Sequence, residues 1–209
     1  CDDTEVIIKA LENMPDVIDI KAAGTAMRFM SAYLSVTPGS HIITGTERMK
    51  HRPIGVLVDA LRFLGADIEY MGEEGFPPLK ITGGKHDGGH LEISGGISSQ
   101  YISALLMIGP VLVKGLELKL TGDIISRPYI DLTLWMMKEF GADADWSDID
   151  TITVKPQPYT SRDYYIESDW SAASYWYEIL AINENREDEI QFTGLMDGSM
   201  QGDSIARYI

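Results

Sequence analysis

Cysteine is almost missing from this chain: Cys1 is the only one in 209 residues. A disulfide framework or a thiolate metal site within one chain is therefore excluded, which fits a reducing cytoplasm. Positive charge is also scarce. Seventeen Lys and Arg stand against 32 Asp and Glu, for a formal net charge of −15, which argues against sequence-independent binding to nucleic acid or to anionic membranes. Long apolar runs are lacking too. The longest, Tyr101 to Val113, is interrupted by Gly109 and Pro110 and is too short to span a bilayer. No secretory signal opens the chain. The four histidines (His41, His51, His86 and His90) show no HExxH spacing and read as non-ligands.

What remains is ordinary for a globular protein of one or two domains, with 44% hydrophobic and 23% charged residues. The chain is organised around Gly95-Gly96-Ile97-Ser98-Ser99-Gln100-Tyr101-Ile102-Ser103-Ala104-Leu105-Leu106-Met107-Ile108. Two glycines free the backbone for a tight approach, and a helix apolar all round follows, which belongs inside a core. Its first turn is nonetheless polar. A helix start presents unpaired N–H groups and the positive end of the dipole, so it is a ready anion site. Taken alone, Ser98 and Ser99 read first as caps. The anion reading gains weight because the design recurs.

Helical spacing is expected from Asp2 to Met14, stopped by Pro15, and from Gly24 to Leu34, stopped by Pro38-Gly39. Pro53, after the basic cluster Arg48-Met49-Lys50-His51-Arg52, suits the first position of a third helix, which Gly65 ends. Arg127-Pro128 opens another, ended by Gly141, and Asp169 to Tyr175 opens one more. Strands are expected at 17–20, 41–44, 66–70, 79–82, 90–93, 116–121, 151–154, 163–167 and 189–193. Thr-Gly turns at Thr44, Thr121 and Thr193 recur at about 75 residues, a period that fits a strand–helix repeat. Arg-Pro pairs at Arg52 and Arg127 and Ser-Ala pairs at Ser31 and Ser103 recur with them. The expected fold class is α/β, with pseudo-symmetric repeats, helices inside and sheets outside. If the buried helices run parallel, Gly24-Thr25, Ser98-Ser99 and Ser126-Arg127 crowd one anion-binding end.

These residues resemble the EPSP synthase family, the 3-phosphoshikimate 1-carboxyvinyltransferases. The carrying segments are Ala23-Gly24-Thr25-Ala26-Met27-Arg28, Arg48-Met49-Lys50-His51-Arg52-Pro53-Ile54-Gly55, Ser98-Ser99-Gln100-Tyr101 and Ser126-Arg127-Pro128-Tyr129-Ile130-Asp131. Asp169 to Tyr175 and Ser199-Met200-Gln201-Gly202-Asp203 add to them, in order along nearly the whole chain. The resemblance implies two lobes, each of three βαβαββ units with buried parallel helices and outer sheets. It implies transfer of the enolpyruvyl group from phosphoenolpyruvate to the 5-hydroxyl of shikimate 3-phosphate, with no metal and no cofactor. Ser98, Ser99 and Ser126 would hold the phosphate of shikimate 3-phosphate, Gln100 would reach its ring hydroxyls and Tyr129 would line that pocket. Arg48 would clamp phosphoenolpyruvate, with Gly24 and Thr25 beside its phosphate; the fixed fork of arginine donors suits both carboxylate and phosphate.

Read from the residues alone, Arg28, Lys50 and Arg52 also fit a solvated charged face, and Tyr129 fits packing beside Pro128. Ala22 stands where the family usually has asparagine, and Phe29 where proline is frequent. The expected division is 1–167, most of the shikimate 3-phosphate-binding lobe, and 168–209, the opening of the second lobe. A chain that opens on a capped helix without methionine reads as a fragment. No catalytic acid–base pair is expected within it, so it should bind weakly and not turn over. The full enzyme is expected to be a cytoplasmic monomer, without nucleic-acid or membrane partners. The fragment is expected to self-associate through apolar surface at Trp170, Tyr175, Trp176 and Ile179. Two rivals share part of this reading. One is UDP-N-acetylglucosamine enolpyruvyl transferase, against which the terminal position of the sole cysteine counts. The other is a non-catalytic phosphate-binding module.

Overall fold

A computed structural model describes residues 2–183 and 189–208; Cys1 lies outside the described residues. The chain divides into one compact unit ending at Thr160 and a second beginning at Ser161.

The first unit is two copies of one design. In the first copy β1 (Val17–Asp19) leads through α2 (Gly24–Val36) to β2 (Gly39–Thr44). A short helix α3 (Glu47–Lys50), α4 (Gly55–Phe63), β3 (Asp67–Tyr70) and β4 (Leu79–Gly83) complete it. The second copy runs β5 (Gly89–Ser94), α5 (Ser99–Ile108), β6 (Leu116–Thr121), α6 (Arg127–Glu139), β7 (Ala144–Trp146) and β8 (Thr151–Val154). The sheet orders are β1-β2-β4-β3 and β5-β6-β8-β7, each with a parallel first pair and antiparallel pairs after it. Helix α1 (Asp2–Asn13) precedes both and packs on α2. The repeat and the α/β class are those expected from the sequence; α3 and β7 were not among the expected elements.

The helices α2 and α5 pack on one another, and their apolar surroundings explain why. Met27, Leu34, Ile102 and Leu105 are essentially inaccessible, as are Ile43, Leu57, Leu61, Leu79 and Ile81 around them. Each such side chain contributes roughly 1.5–3 kcal/mol by leaving water. Gly65 and Gly141 end α4 and α6 with φ of 108° and 85°, a backbone region open mainly to glycine.

Pro53 is not at a first helical position. Helix α4 starts two residues later at Gly55, and Pro53 lies in the bend after α3. At Arg127-Pro128 the expected helix start is present.

The second unit holds α7 (Trp170–Ile182), capped by the Asp169 carboxylate through the N–H groups of Ser171 and Ala172, and a 3₁₀ turn at Gly202–Tyr208. The strands expected at 163–167 and 189–193 are not formed. Ser168 N–H does donate to Gly194 C=O at 2.8 Å, but no ladder extends from it among the described residues, and an isolated pair of strands is marginal in water. Glu167 organises this unit instead. Its carboxylate accepts from Trp170 Nε1 (2.7 Å), Met196 N (2.7 Å), Ser199 Oγ (2.6 Å) and Gln201 Nε2 (3.1 Å). Burial pushes its pKa up, but these donors outweigh burial and hold it below the ordinary value. Trp170, expected on the surface, is buried, whereas Tyr175, Trp176 and Ile179 are exposed as expected.

Candidate functional site

The first turns of α2 and α5 meet. Gln100 Nε2 donates to Thr25 Oγ1 at 2.9 Å, across 75 positions of sequence. Both helices follow a parallel strand of their own copy, so the repeat brings equivalent corners together.

At the α2 corner, Gly24 is buried and lies against an arginine. A Cβ built there would stand 2.8 Å from Cζ of Arg52, tighter than van der Waals contact allows, so the close approach of this guanidinium requires glycine. Arg52 is otherwise exposed, and with Arg48, Ala22, Thr46 and Met49 it lines a small cavity of about 230 Å³. Arg52 is therefore no face turned to solvent alone; it is part of the corner that Gly24 and Thr25 form. The signal for it was the glycine itself, at a helix start where nothing else calls for one. Arg28 also departs from the solvated-face reading. It is 7% exposed, its Nη1 donates to Gly24 C=O at 2.7 Å, and its Cζ lies 5.1 Å from the centroid of the Tyr101 ring. Its Nε has no hydrogen-bond partner among the described residues. Lys50 does fit a charged face, paired with Glu47 at 2.6 Å.

At the α5 corner, Ser98 is the N-cap, its Oγ accepting from Gln100 N at 3.4 Å. Ser99, Gln100 and Tyr129 line a second cavity of about 560 Å³, whose walls continue through Phe29, Met107, Met136 and Phe140. Tyr159 closes part of it. Its hydroxyl donates to Met107 C=O at 2.9 Å, and burial pushes its pKa up to about 12.

Ser126 stands at the N-cap of α6 with no side-chain cap bond. The turn before it is stitched to the start of α5: Gly95 N donates to Thr121 C=O at 2.8 Å, and Ile125 N donates to Gly95 C=O at 3.4 Å. A Cβ at Gly95 would stand 3.0 Å from Asp123 O, so glycine permits this close passage. The start of α6 is held from the other side by a clamp that the sequence did not reveal. Arg127 Cζ lies 3.9 Å from the centroid of the Trp146 ring, Arg127 Nη1 donates to Ile149 C=O at 3.1 Å, and Trp146 Nε1 donates to Asp131 Oδ1 at 2.7 Å.

The fold thus gathers Gly24, Thr25, Arg52 and Gln100 at one point and Ser99, Gln100 and Tyr129 at the next, with Gln100 common to both. Helix starts, hydroxyls and guanidinium groups are donors without ionisable protons near neutrality. Donors of this kind are the chemistry that oxyanion binding requires.

Comparisons with known proteins bear on the family and the fold. The chain matches the EPSP synthase (3-phosphoshikimate 1-carboxyvinyltransferase) family over residues 2–208. It is 61% identical over 204 residues to the 3-phosphoshikimate 1-carboxyvinyltransferase of Bacteroides fragilis, covering 98% of this chain and 49% of that protein. It is 45% identical over 183 residues to the one of Vibrio atlanticus, covering 87% of this chain and 42% of that protein. The chain therefore spans about half the length of the curated relatives it matches. Among solved structures, EPSP synthase from Acinetobacter baumannii aligns with a TM-score of 0.67 at 26% identity, over 81% of this chain and 37% of that one. The enolpyruvyl transferase NikO from Streptomyces tendae aligns at 0.51 and 15% identity, over 71% of this chain and 34% of that one, a likeness of fold alone. No helix among the described residues is long and apolar enough to cross a membrane.

Proposed function

Because this chain belongs to the EPSP synthase (3-phosphoshikimate 1-carboxyvinyltransferase) family, we propose that the full-length protein transfers the enolpyruvyl group of phosphoenolpyruvate to the 5-hydroxyl of shikimate 3-phosphate. In this reaction the hydroxyl oxygen adds to C2 of phosphoenolpyruvate, and the resulting tetrahedral intermediate expels phosphate. The observation that carries the reading is the meeting of the two helix starts through Gln100 and Thr25, with Arg52 held over Gly24 in a chain that is otherwise acidic.

In this reading Ser99 and Gln100, with Ser98 and Ser126 at the neighbouring helix starts, receive shikimate 3-phosphate, and Tyr129 lines its pocket. Gly24 and Thr25 lie beside the phosphate of phosphoenolpyruvate. Arg48 and Arg52, which share one cavity, grip that substrate through charge-assisted hydrogen bonds. These groups bind and orient. Proton transfer at the reacting hydroxyl and methylene falls to the remainder of the full-length protein, so this chain alone binds and does not turn over. Residues 1–167 constitute most of the shikimate 3-phosphate lobe and residues 168–209 open the second. The full-length enzyme is, in this reading, monomeric and cytoplasmic; the scarcity of cysteine in these 209 residues suits a reducing compartment.

The test is turnover by the full-length protein together with thermal unfolding of the 209-residue chain in shikimate 3-phosphate. Ligand at about 100 times its dissociation constant stabilises by roughly 2.7 kcal/mol. Release of phosphate only when both substrates are present, and a melting shift lost in the Ser98→Ala, Ser99→Ala double variant, are the expected results. Full-length protein inert toward both substrates would overturn the reading; steady-state product from this chain alone would overturn the assignment of proton transfer to the rest.

A further inference from the structure

Tyr101 is the residue next to Gln100, and its hydroxyl crosses to the other copy. It donates to Pro53 C=O at 2.7 Å. Proline has no N–H, so this carbonyl is the only backbone hydrogen-bonding group that Pro53 has. The bend is fixed on either side of it, by Arg52 N donating to Met49 C=O at 3.0 Å and Ile54 N donating to Gly75 C=O at 2.9 Å. Tyr101 therefore ties this bend to the core helix α5 at the residue adjoining Arg52. The tyrosine itself is 9% exposed, and Arg28, anchored on Gly24 C=O, lies against its ring. Its place is set by the same residue over which Arg52 lies.

We propose that Tyr101 is a positioning residue that sets the guanidinium of Arg52 over Gly24, and so couples the phosphoenolpyruvate corner to the helix start that carries Gln100. This rests on the functional reading above for its consequence in the reaction, but its structural half stands on the geometry alone. The phenol is spent on a backbone carbonyl. It acts by holding the Pro53 carbonyl, and through it the backbone from which Arg52 extends. A tie of this kind is expected to favour the substrate gripped by Arg52 over the one held by the serines.

The experiment is Tyr101→Phe in the full-length protein, with crystal structures and steady-state kinetics of both forms. The variant keeps the ring against Arg28 and removes only the donor, and its unfolding temperature checks that it folds. The expected results are a guanidinium displaced from Gly24 and a KM for phosphoenolpyruvate raised roughly three- to tenfold, the range of one net hydrogen bond. The KM for shikimate 3-phosphate and kcat should hold. An Arg52 that stays in place overturns the proposal, as does an unchanged KM for phosphoenolpyruvate or an equal rise in both. If the unaltered full-length protein proves inert, the functional reading fails, and the position of Arg52 alone decides the structural claim. If Tyr101→Phe does not fold, Tyr101→Leu, which also removes the donor, replaces it: a displaced Arg52 supports the tie, and an Arg52 that stays in place overturns it.

Discussion

The two copies in the first unit share strand order and helix placement, yet they equip the same corner differently. At the start of α2 the N-cap is Ala23, which makes no side-chain cap bond, and the corner is a buried glycine met by an arginine from the next helix pair. At the start of α5 the corner is hydroxyl-rich, and Ser98 caps the helix from within. One corner borrows its donors from a distant side chain with a full charge. The other provides neutral donors of its own. A repeated scaffold thus presents two candidate oxyanion corners of different character, joined by the Gln100–Thr25 hydrogen bond.

The comparison is most easily broken at what the copies share. Leu34→Ala in α2 and Ile102→Ala in α5 each remove a fully buried side chain and should lower unfolding free energy by about 2–5 kcal/mol. Urea titration followed by circular dichroism should show both variants shifting one common transition of the first unit. Two separate transitions would mean that the copies fold independently and that the shared corner is a docked contact.

The next contrast is between the corners. In the full-length protein Arg52→Ala should raise the KM for phosphoenolpyruvate roughly 10- to 150-fold, the range for hydrogen bonds to charged groups. Ser99→Ala should raise the KM for shikimate 3-phosphate by roughly three- to tenfold, as one neutral donor is lost. Gly24→Ala sharpens this further. The added methyl meets the flexible end of Arg52, so the fold should survive with little change in unfolding temperature while phosphoenolpyruvate binding weakens. Equal effects of Arg52→Ala on both substrates would erase the distinction between the corners.

Ser98 separates capping from ligand contact. Loss of its cap should cost about 1 kcal/mol as Ser98→Ala, and only a few tenths as Ser98→Gly. Denaturant midpoints of the two variants would show that order. If both variants lose shikimate 3-phosphate binding to the same extent, the hydroxyl serves the ligand as well as the helix.

Most of the first unit was legible because its signals are local. Gly65 and Gly141 mark helix ends through their own backbone angles, and Leu57, Val58 and Leu61 mark a buried face through spacing alone. The strands expected at 163–167 and 189–193 had suitable residues, a Tyr-Tyr-Ile run in one and alternation in the other, but a strand also needs a partner, and local composition cannot name one. The site was half legible. Gln100, Ser99 and Thr25 were in view because helix starts are fixed by the fold. Arg52 was not, since the direction of a long side chain depends on what it meets, and the clue lay 28 positions away in Gly24. Arg28 carried a plainer clue: a lone charge among Ala26, Met27, Phe29 and Met30 must be satisfied inside. The Arg127–Trp146–Asp131 clamp joins two elements with no recurring spacing, so no pattern exposed it.

The outer sheets provide the smallest and last contrast. In the first copy Glu69 on β3 faces Lys80 on β4, a pair 3.5 Å apart that contains no histidine. In the second copy His90 on β5 is registered against Glu117 on β6 at 2.8 Å, with Glu92 at 3.2 Å. Hydrogen bonding to Glu117, then to Glu92, raises the imidazole above its ordinary pKa. A group with a raised folded pKa contributes its full stabilisation below the unfolded value of about 6.5, and loses it as pH rises through the folded value. Raising the pH from about 5.5 to 8 should therefore loosen the β5–β6 pairing and leave β3–β4 as it was. Amide hydrogen exchange, corrected for the intrinsic rate at each pH, reads both sheets in one sample. The difference should be small because the ring is exposed and screened, and His90→Gln should abolish it. A β3–β4 pairing that loosens equally over the same range would show that the change belongs to the whole unit and that the histidine does not distinguish the copies.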